Sequence, residues 1–151
     1  MLRQRLNDAL KDAMKRRAEL EVSTLRLILA AIKDRDIAAR GKGQPDGIDD
    51  DELLGLLQTM VRQRQDAIAL YEQGGRLELA ERERDEIGVI ETYLPRQLDE
   101  DEIAAAVKQV IDETGAASLK HMGATMAELR RRYAGRMDFA KASGMVKRQL
   151  S

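Results

Sequence analysis

The sequence predicts an all-α protein built as two small helical bundles, four longer helices followed by a three-helix tail. Three observations carry that reading. Aliphatic residues recur at spacings of three and four along most of the chain, which sets them on one side of a 3.6-residue helix. Only 2 prolines and 11 glycines punctuate 151 residues, too little turn chemistry for an all-β sandwich or barrel. Aromatic residues make up 3% against 43% hydrophobic and 35% charged, so the core is aliphatic and composed of good helix formers.

The elements follow in order. Leu2, Leu6, Ala9, Leu10, Ala13 and Met14 form one stripe on a first helix of about four turns. A second begins between Glu19 and Thr24 and runs to about Arg40, with Leu25, Leu29, Ile32 and Ala39 as buried candidates and Leu27 and Ile28 widening the apolar face. Gly41 ends it, and residues 41–47 are the one clear loop. The third start is sharp: Asp49 is the cap, Glu52 stands at the third helical position, and Ile48 and Leu53 close a hydrophobic staple. That helix runs to Gln73 with Leu53, Leu57, Met60, Val61, Ile68 and Tyr71 on its stripe, and Gly74-Gly75 stops it. A fourth extends from Leu77 to Tyr93 with Leu79, Ile87 and Ile90 inward, and Leu94-Pro95 ends it because proline drives the preceding residue to extended geometry. Its Glu78, Glu81, Glu83, Asp85, Glu86 and Glu91, interleaved with Arg82 and Arg84, read as a solvated face of pairs three or four apart.

The capping device recurs at Leu98, Asp99, Glu102 and Ile103. Helix five carries Ile103, Val107, Val110 and Ile111 and stops at Gly115. Ser118 caps helix six, which holds Met122, Met126 and Leu129 and ends near Gly135; Gly123 offers a bare backbone for close approach of helix five or seven. Asp138 caps a last short helix with Ala142, Met145, Val146 and Leu150. The proline joint near residues 94–98 divides the chain into subdomains 1–95 and 96–151.

Several chemistries are excluded. With no cysteine, disulfides, thiolate catalysis and cysteine-ligated metals are impossible, and the single His121 rules out a multi-histidine site. No phosphate-cradling glycine motif is present. The run Asp49-Asp50-Asp51-Glu52 falls at a helix start, where carboxylates complement the unpaired amides and the dipole. No catalytic residue, cofactor or metal is expected. No apolar stretch reaches the roughly 18–20 residues of a membrane span, and Met1-Leu2-Arg3-Gln4-Arg5 leads into amphipathic sequence. The expectation is a soluble, cytoplasmic chain with no membrane partner.

The net charge of −1 conceals an asymmetry. Residues 116–151 hold Lys120, Arg130, Arg131, Arg132, Arg136, Lys141, Lys147 and Arg148 against Glu128 and Asp138, a net +6; the other 115 residues hold 18 bases and 25 acids, a net −7. Lys120, Arg130, Arg131, Arg136, Lys141, Lys147 and Arg148 are therefore the candidate phosphate contacts. Three consecutive arginines cannot share a helix face, so one or two of them belong to any patch. Tyr71, Tyr93, Tyr133 and Phe139 are the whole aromatic set, and at least three lie in apolar stripes. Stacking of single-stranded bases is thus less favoured than recognition of structured RNA by shape and backbone.

Strings spread over nearly the whole chain carry a resemblance: Arg62-Gln63-Arg64 and Tyr71, then Gly75-Arg76, Leu79-Ala80, Glu83, Glu86-Ile87 and Tyr93-Leu94-Pro95, then Met122-Gly123, Met126, Leu129, Gly135-Arg136-Met137-Asp138 and Leu150. In their order and spacing they resemble the GatB/YqeY family, in particular its stand-alone YqeY-like members. One departure is His121, where an acidic residue is expected before Met122-Gly123. The resemblance implies an all-helical, two-part fold. It also implies kinship to the tail of the GatB subunit of the glutamine-dependent aminoacyl-tRNA amidotransferase, the part regarded as contacting tRNA, while carboxylate phosphorylation and ammonia production belong to other units. Family members carry a label of carbon–nitrogen ligase activity with glutamine as amido-N-donor. The function this implies is a non-catalytic tRNA-binding module, with tRNA and proteins of translation or amidotransfer as partners. A protein-interaction adaptor is the alternative, and a helix-turn-helix DNA binder ranks third because base-reading side chains are not evident.

Overall fold

A computed structural model describes residues 1–151. Seven α-helices and one short 3₁₀ turn account for the regular structure: α1 (Leu2–Arg16), α2 (Glu19–Gly41), α3 (Asp50–Gln73), α4 (Leu77–Glu91), α5 (Glu100–Thr114), the 3₁₀ turn Leu119–His121, α6 (Met122–Tyr133) and α7 (Phe139–Leu150). The protein is all-α. Its chain forms two compact units, Met1–Leu94 and Pro95–Ser151.

In the first unit α2 packs on α1 and α4, and α3 packs chiefly on α4. The shared core is aliphatic: Leu6, Leu25, Ile28, Leu53, Leu57 and Ile90 are wholly buried. The stripe on α1 holds at Leu2, Leu6 and Ala13, but Met14 lies at its edge and stays exposed. On α2 the bundle takes Ile28 fully and Leu29 in part, and leaves Leu27 in solvent. Both capping boxes form as read. The Asp49 carboxylate accepts from the Glu52 amide at 2.8 Å, and Asp99 accepts from Glu102 at 2.8 Å, each with the reciprocal glutamate bond.

An ion pair between half-buried Arg3 and buried Asp36 fixes the entry to α3. Arg3 donates to both carboxylate oxygens of Asp36 at 2.6 Å and to the Ile48 carbonyl at 2.7 Å, while the Ile48 amide donates to Asp36 at 2.9 Å. One carboxylate thereby ties α1, α2 and the 42–49 loop together, and the Arg3 guanidinium beside it holds its pKa down at about 2. Gly47 must be glycine there: its φ is 81°, and a Cβ would stand 2.3 Å from the Asp36 carboxylate.

In the second unit α5, α6 and α7 pack pairwise around Ile103, Val107, Val110, Leu129, Met137 and Val146. Within this unit the segment leading into α5 is held by backbone, with the Leu98 amide donating to the Arg136 carbonyl at 2.8 Å. Gly115 ends α5 in the left-handed conformation at φ 69°, and Asp138 caps α7 by accepting from Ala140 and Lys141. Two local readings are corrected. Ser118 precedes the 3₁₀ turn without a side-chain cap bond; the chain enters α6 through that turn, where the His121 imidazole accepts from the Ala117 amide at 3.2 Å. Gly123 is exposed with nothing within 4 Å of a Cβ, so it faces solvent and admits no neighbouring helix.

The glutamates of α4 also differ from their reading as a uniformly solvated face. Glu86 is buried, receiving Arg64 of α3 at 3.0 Å, with Glu83 at 3.9 Å from the same guanidinium. The Arg64 side chain also donates to the Met60 carbonyl on its own helix. Burial, and then the neighbouring Glu86 charge, raise the Glu83 pKa. This cluster joins α3 to α4.

Candidate nucleic-acid interface

The basic tail of the sequence becomes two helices with different roles for their cations. On α7 the buried residues are Ala142, Val146 and Leu150. Counting 100° per residue, Lys141 and Arg148 lie on the opposite side and Lys147 on the flank next to Arg148. All three are exposed, and α7 contains no acidic residue in its 12. Lys141 reaches Glu100 of α5 at 3.3 Å, a pair whose partners are both largely in solvent. Lys147 and Arg148 meet no carboxylate within 4.0 Å.

The α6 arginines divide three ways. Arg130 lies over the Phe139 ring at 5.6 Å, so the start of α7 holds its guanidinium at the surface while the charge stays available. Arg131 is tied to Glu128 one turn back. Arg132 is the most enclosed, bonded to Glu128 at 2.8 Å and to Glu113 of α5 at 2.6 Å. The two arginines together hold the Glu128 pKa down at about 2. Glu128 and Glu113 therefore act as internal counter-ions that remove two of three consecutive arginines from an outward patch. The Glu128 pairs stand three and four residues apart and are compatible with helical periodicity, but the Arg132–Glu113 pair spans two helices and is invisible to it.

The seven candidates do not form one cluster. Arg130, Arg136 and Lys141 lie where the end of α6, the start of α7 and the start of α5 converge, as the Arg130–Phe139, Leu98–Arg136 and Lys141–Glu100 contacts record. Chain direction places Lys120, in the turn before α6, and Lys147 and Arg148, in the last turn of α7, toward the opposite end of the bundle. The outer face of α7, about 18 Å long for its 12 residues, links the two groups. Of the seven, Lys120, Arg130, Arg136, Lys147 and Arg148 meet no carboxylate, while Arg131 and Lys141 do.

None of the aromatic side chains is fully exposed; Tyr71, Tyr93, Tyr133 and Phe139 are all half-buried. Tyr93 carries Arg5 over its ring at 5.4 Å, as Phe139 carries Arg130. These two rings act as supports for guanidinium groups. No three His, Asp or Glu side chains stand together in a metal-holding arrangement, and no helix is long and apolar enough to cross a membrane.

The family model of Yqey-like proteins matches residues 3–150. The chain belongs to that family. Among curated YqeY-like relatives, altered inheritance of mitochondria protein 41 of Lachancea thermotolerans is 34% identical over 110 residues, covering 72% of this chain and 57% of that protein. The proteins of the same name from Vanderwaltozyma polyspora and Kluyveromyces lactis are 33% and 31% identical over 107 and 111 residues, covering 71% and 72% of this chain and 52% and 57% of theirs. The YqeY-like chain thus spans little more than half the length of these relatives. They are named as mitochondrial proteins, and this overturns the expectation of a cytoplasmic location. The residue pattern at the start of the chain does not fix a compartment.

Proposed function

We infer that this YqeY-like chain is a non-catalytic docking module for structured RNA, tRNA in the first place, and that the outer face of α7 meets the phosphate backbone. One observation carries the reading: α7 presents Lys141, Lys147 and Arg148 with no acid of its own, and two of the three lack any carboxylate partner. Unpaired cations on the solvent side of a helix are what release condensed counter-ions from a polyanion. Arg130, steadied on Phe139, extends the face across the start of α7. The resemblance to the amidotransferase tail supports tRNA over other RNA and leaves the chemistry of amidation to partner polypeptides. The buried polar clusters support a non-catalytic role, since Asp36–Arg3 and Arg64–Glu86 are both consumed in joining helices.

The test is anisotropy of labelled tRNA titrated with the full chain at about 50 and 200 mM salt. For three or four phosphate contacts the affinity falls roughly 40- to 150-fold between those conditions. Lys147→Glu with Arg148→Glu lowers affinity at least tenfold, whereas Arg131→Gln stays within about twofold because Glu128 already holds that side chain. Absence of binding at low salt, or indifference to the double reversal, overturns the reading.

A further inference from the structure

The outer side of α2 carries a second seam that its own bundle leaves unused. From Leu27, the positions three, seven and ten residues on are Ala30, Asp34 and Ile37, the spacing by which one helix meets another along a coiled-coil interface. None of them is in the core. Leu27 is 48% and Ile37 57% exposed, and Ala30 and Asp34 are exposed as well. The bundle takes the other side of the helix through Leu25, Ile28, Ile32, Asp36 and Ala39. Ala31, Ala38 and Gly41 border the seam, so a neighbouring backbone can come close.

Charge defines what fits. Arg26, Lys33 and Arg40 follow one another at seven-residue intervals along one flank, all exposed and none with a carboxylate within 4.0 Å. Between Thr24 and Gly41 the only acids are Asp34, on the seam itself, and Asp36, buried against Arg3. One heptad earlier the frame reaches Leu20 and Ser23, which with Glu19 and Arg82 line an open depression of about 390 Å³. There the flank turns acidic, which confines the seam to residues 26–41.

We propose that this face docks one acidic amphipathic helix of a protein partner. Its apolar residues sit on Leu27, Ala30 and Ile37, its Asp or Glu side chains align with Arg26, Lys33 and Arg40, and a Lys or Arg opposes Asp34. The alternatives fit the same residues worse. A second copy in parallel sets Asp34 against Asp34, and an antiparallel one sets the two cationic rows together. A lipid surface would draw Asp34 into hydrocarbon. Nucleic acid meets a carboxylate and bare aliphatic side chains at the centre of the patch.

The experiment replaces Ile37 in the full chain by the photo-cross-linking amino acid p-benzoylphenylalanine, irradiates living cells of the source organism, and maps the joined peptide by mass spectrometry. The same substitution at exposed Asp46 is the control. The expected product is one protein segment with apolar residues three and four apart and acids on one flank. Its yield falls at least tenfold with Lys33→Glu and Arg40→Glu, and returns when the mapped acids are changed to Lys. Joining to a second copy, to nuclease-sensitive material, to a segment without flanking acids, or to nothing beyond the Asp46 control overturns the proposal. Circular dichroism of the charge-reversed chain confirms that α2 stays folded.

Discussion

Asp36 shows how much one side chain can decide. It is an acid in the middle of a helix, a pattern that reads as solvated surface, yet it is buried because Arg3 lies 33 residues away in sequence and 2.6 Å away in space. Asp36→Ala leaves the Ile48 amide without its acceptor and Arg3 with only the Ile48 carbonyl, at a cost of roughly 2 kcal/mol by urea unfolding. The folded-state pKa is depressed from the ordinary aspartate value of 3.8 to about 2. The stabilisation is therefore complete above the unfolded value and drains away as pH falls from about 4 toward 2. Acid titration followed by circular dichroism shows the wild-type chain losing stability across that window, with Asp36→Asn losing less because only the remaining depressed carboxylates, Glu102 and Glu128, still titrate there. Gly47→Ala is destabilising by about 2 kcal/mol or more, since the positive φ and the carboxylate both oppose a side chain. Gly123→Ala acts oppositely. With open space around it on an exposed helix, the substitution stabilises by about 0.5–1 kcal/mol in thermal unfolding.

At the scale of the helix, local chemistry and distant contacts separate cleanly. Asp49 and Asp99 each occupy an N-cap with a glutamate three residues on, and both boxes form because every atom involved lies within four residues. Replacing either aspartate by Ala costs about 1 kcal/mol, while Ser118→Ala changes stability by only a few tenths, its hydroxyl making no cap bond. Denaturant midpoints of the three variants make the comparison. The α3–α4 pair is different, because it rests on Arg64 reaching Glu86 across 22 residues. Arg64→Ala leaves buried Glu86 with only the exposed Arg82 at 3.7 Å and costs about 2 kcal/mol, more than either cap variant, as the same denaturation series shows. The α6–α7 region repeats the lesson. Periodicity placed its cations on helices, but only the neighbour across the bundle determined that Arg132 belongs to Glu113 and that Lys147 and Arg148 belong to solvent.

At the scale of the molecule, each compact unit has its own core, and the two clusters of buried side chains share no residue. Loss of the Asp36 tie is thus felt in one unit: hydrogen exchange of Asp36→Ala speeds up within residues 1–94 and is unchanged within 95–151. The charge asymmetry also looks different once α5 is in place. The +6 of residues 116–151 is joined by Arg96 and Lys108 and by six acids at or within α5, leaving ten bases and eight acids in residues 95–151, a net +2. The second unit is consequently polar in the electrostatic sense, with the acid-rich helix α5 packed beside the basic α6 and α7, and an approaching polyanion is oriented as well as attracted.

The sequence by itself determined the helical class, both capping boxes, the left-handed glycine stops at Gly75 and Gly115 and the aliphatic identity of the core, though α2 runs through Gly41 and is capped by Lys42. Each of these depends on residues within a turn or two of one another, where spacing is geometry. The tertiary structure alone decided which carboxylates leave water, which arginines are neutralised from another helix, and that α2 keeps a second apolar side unspent. Those outcomes depend on groups brought together from 22, 33 or 41 residues away, and the burial of a charge is set by the partner that meets it.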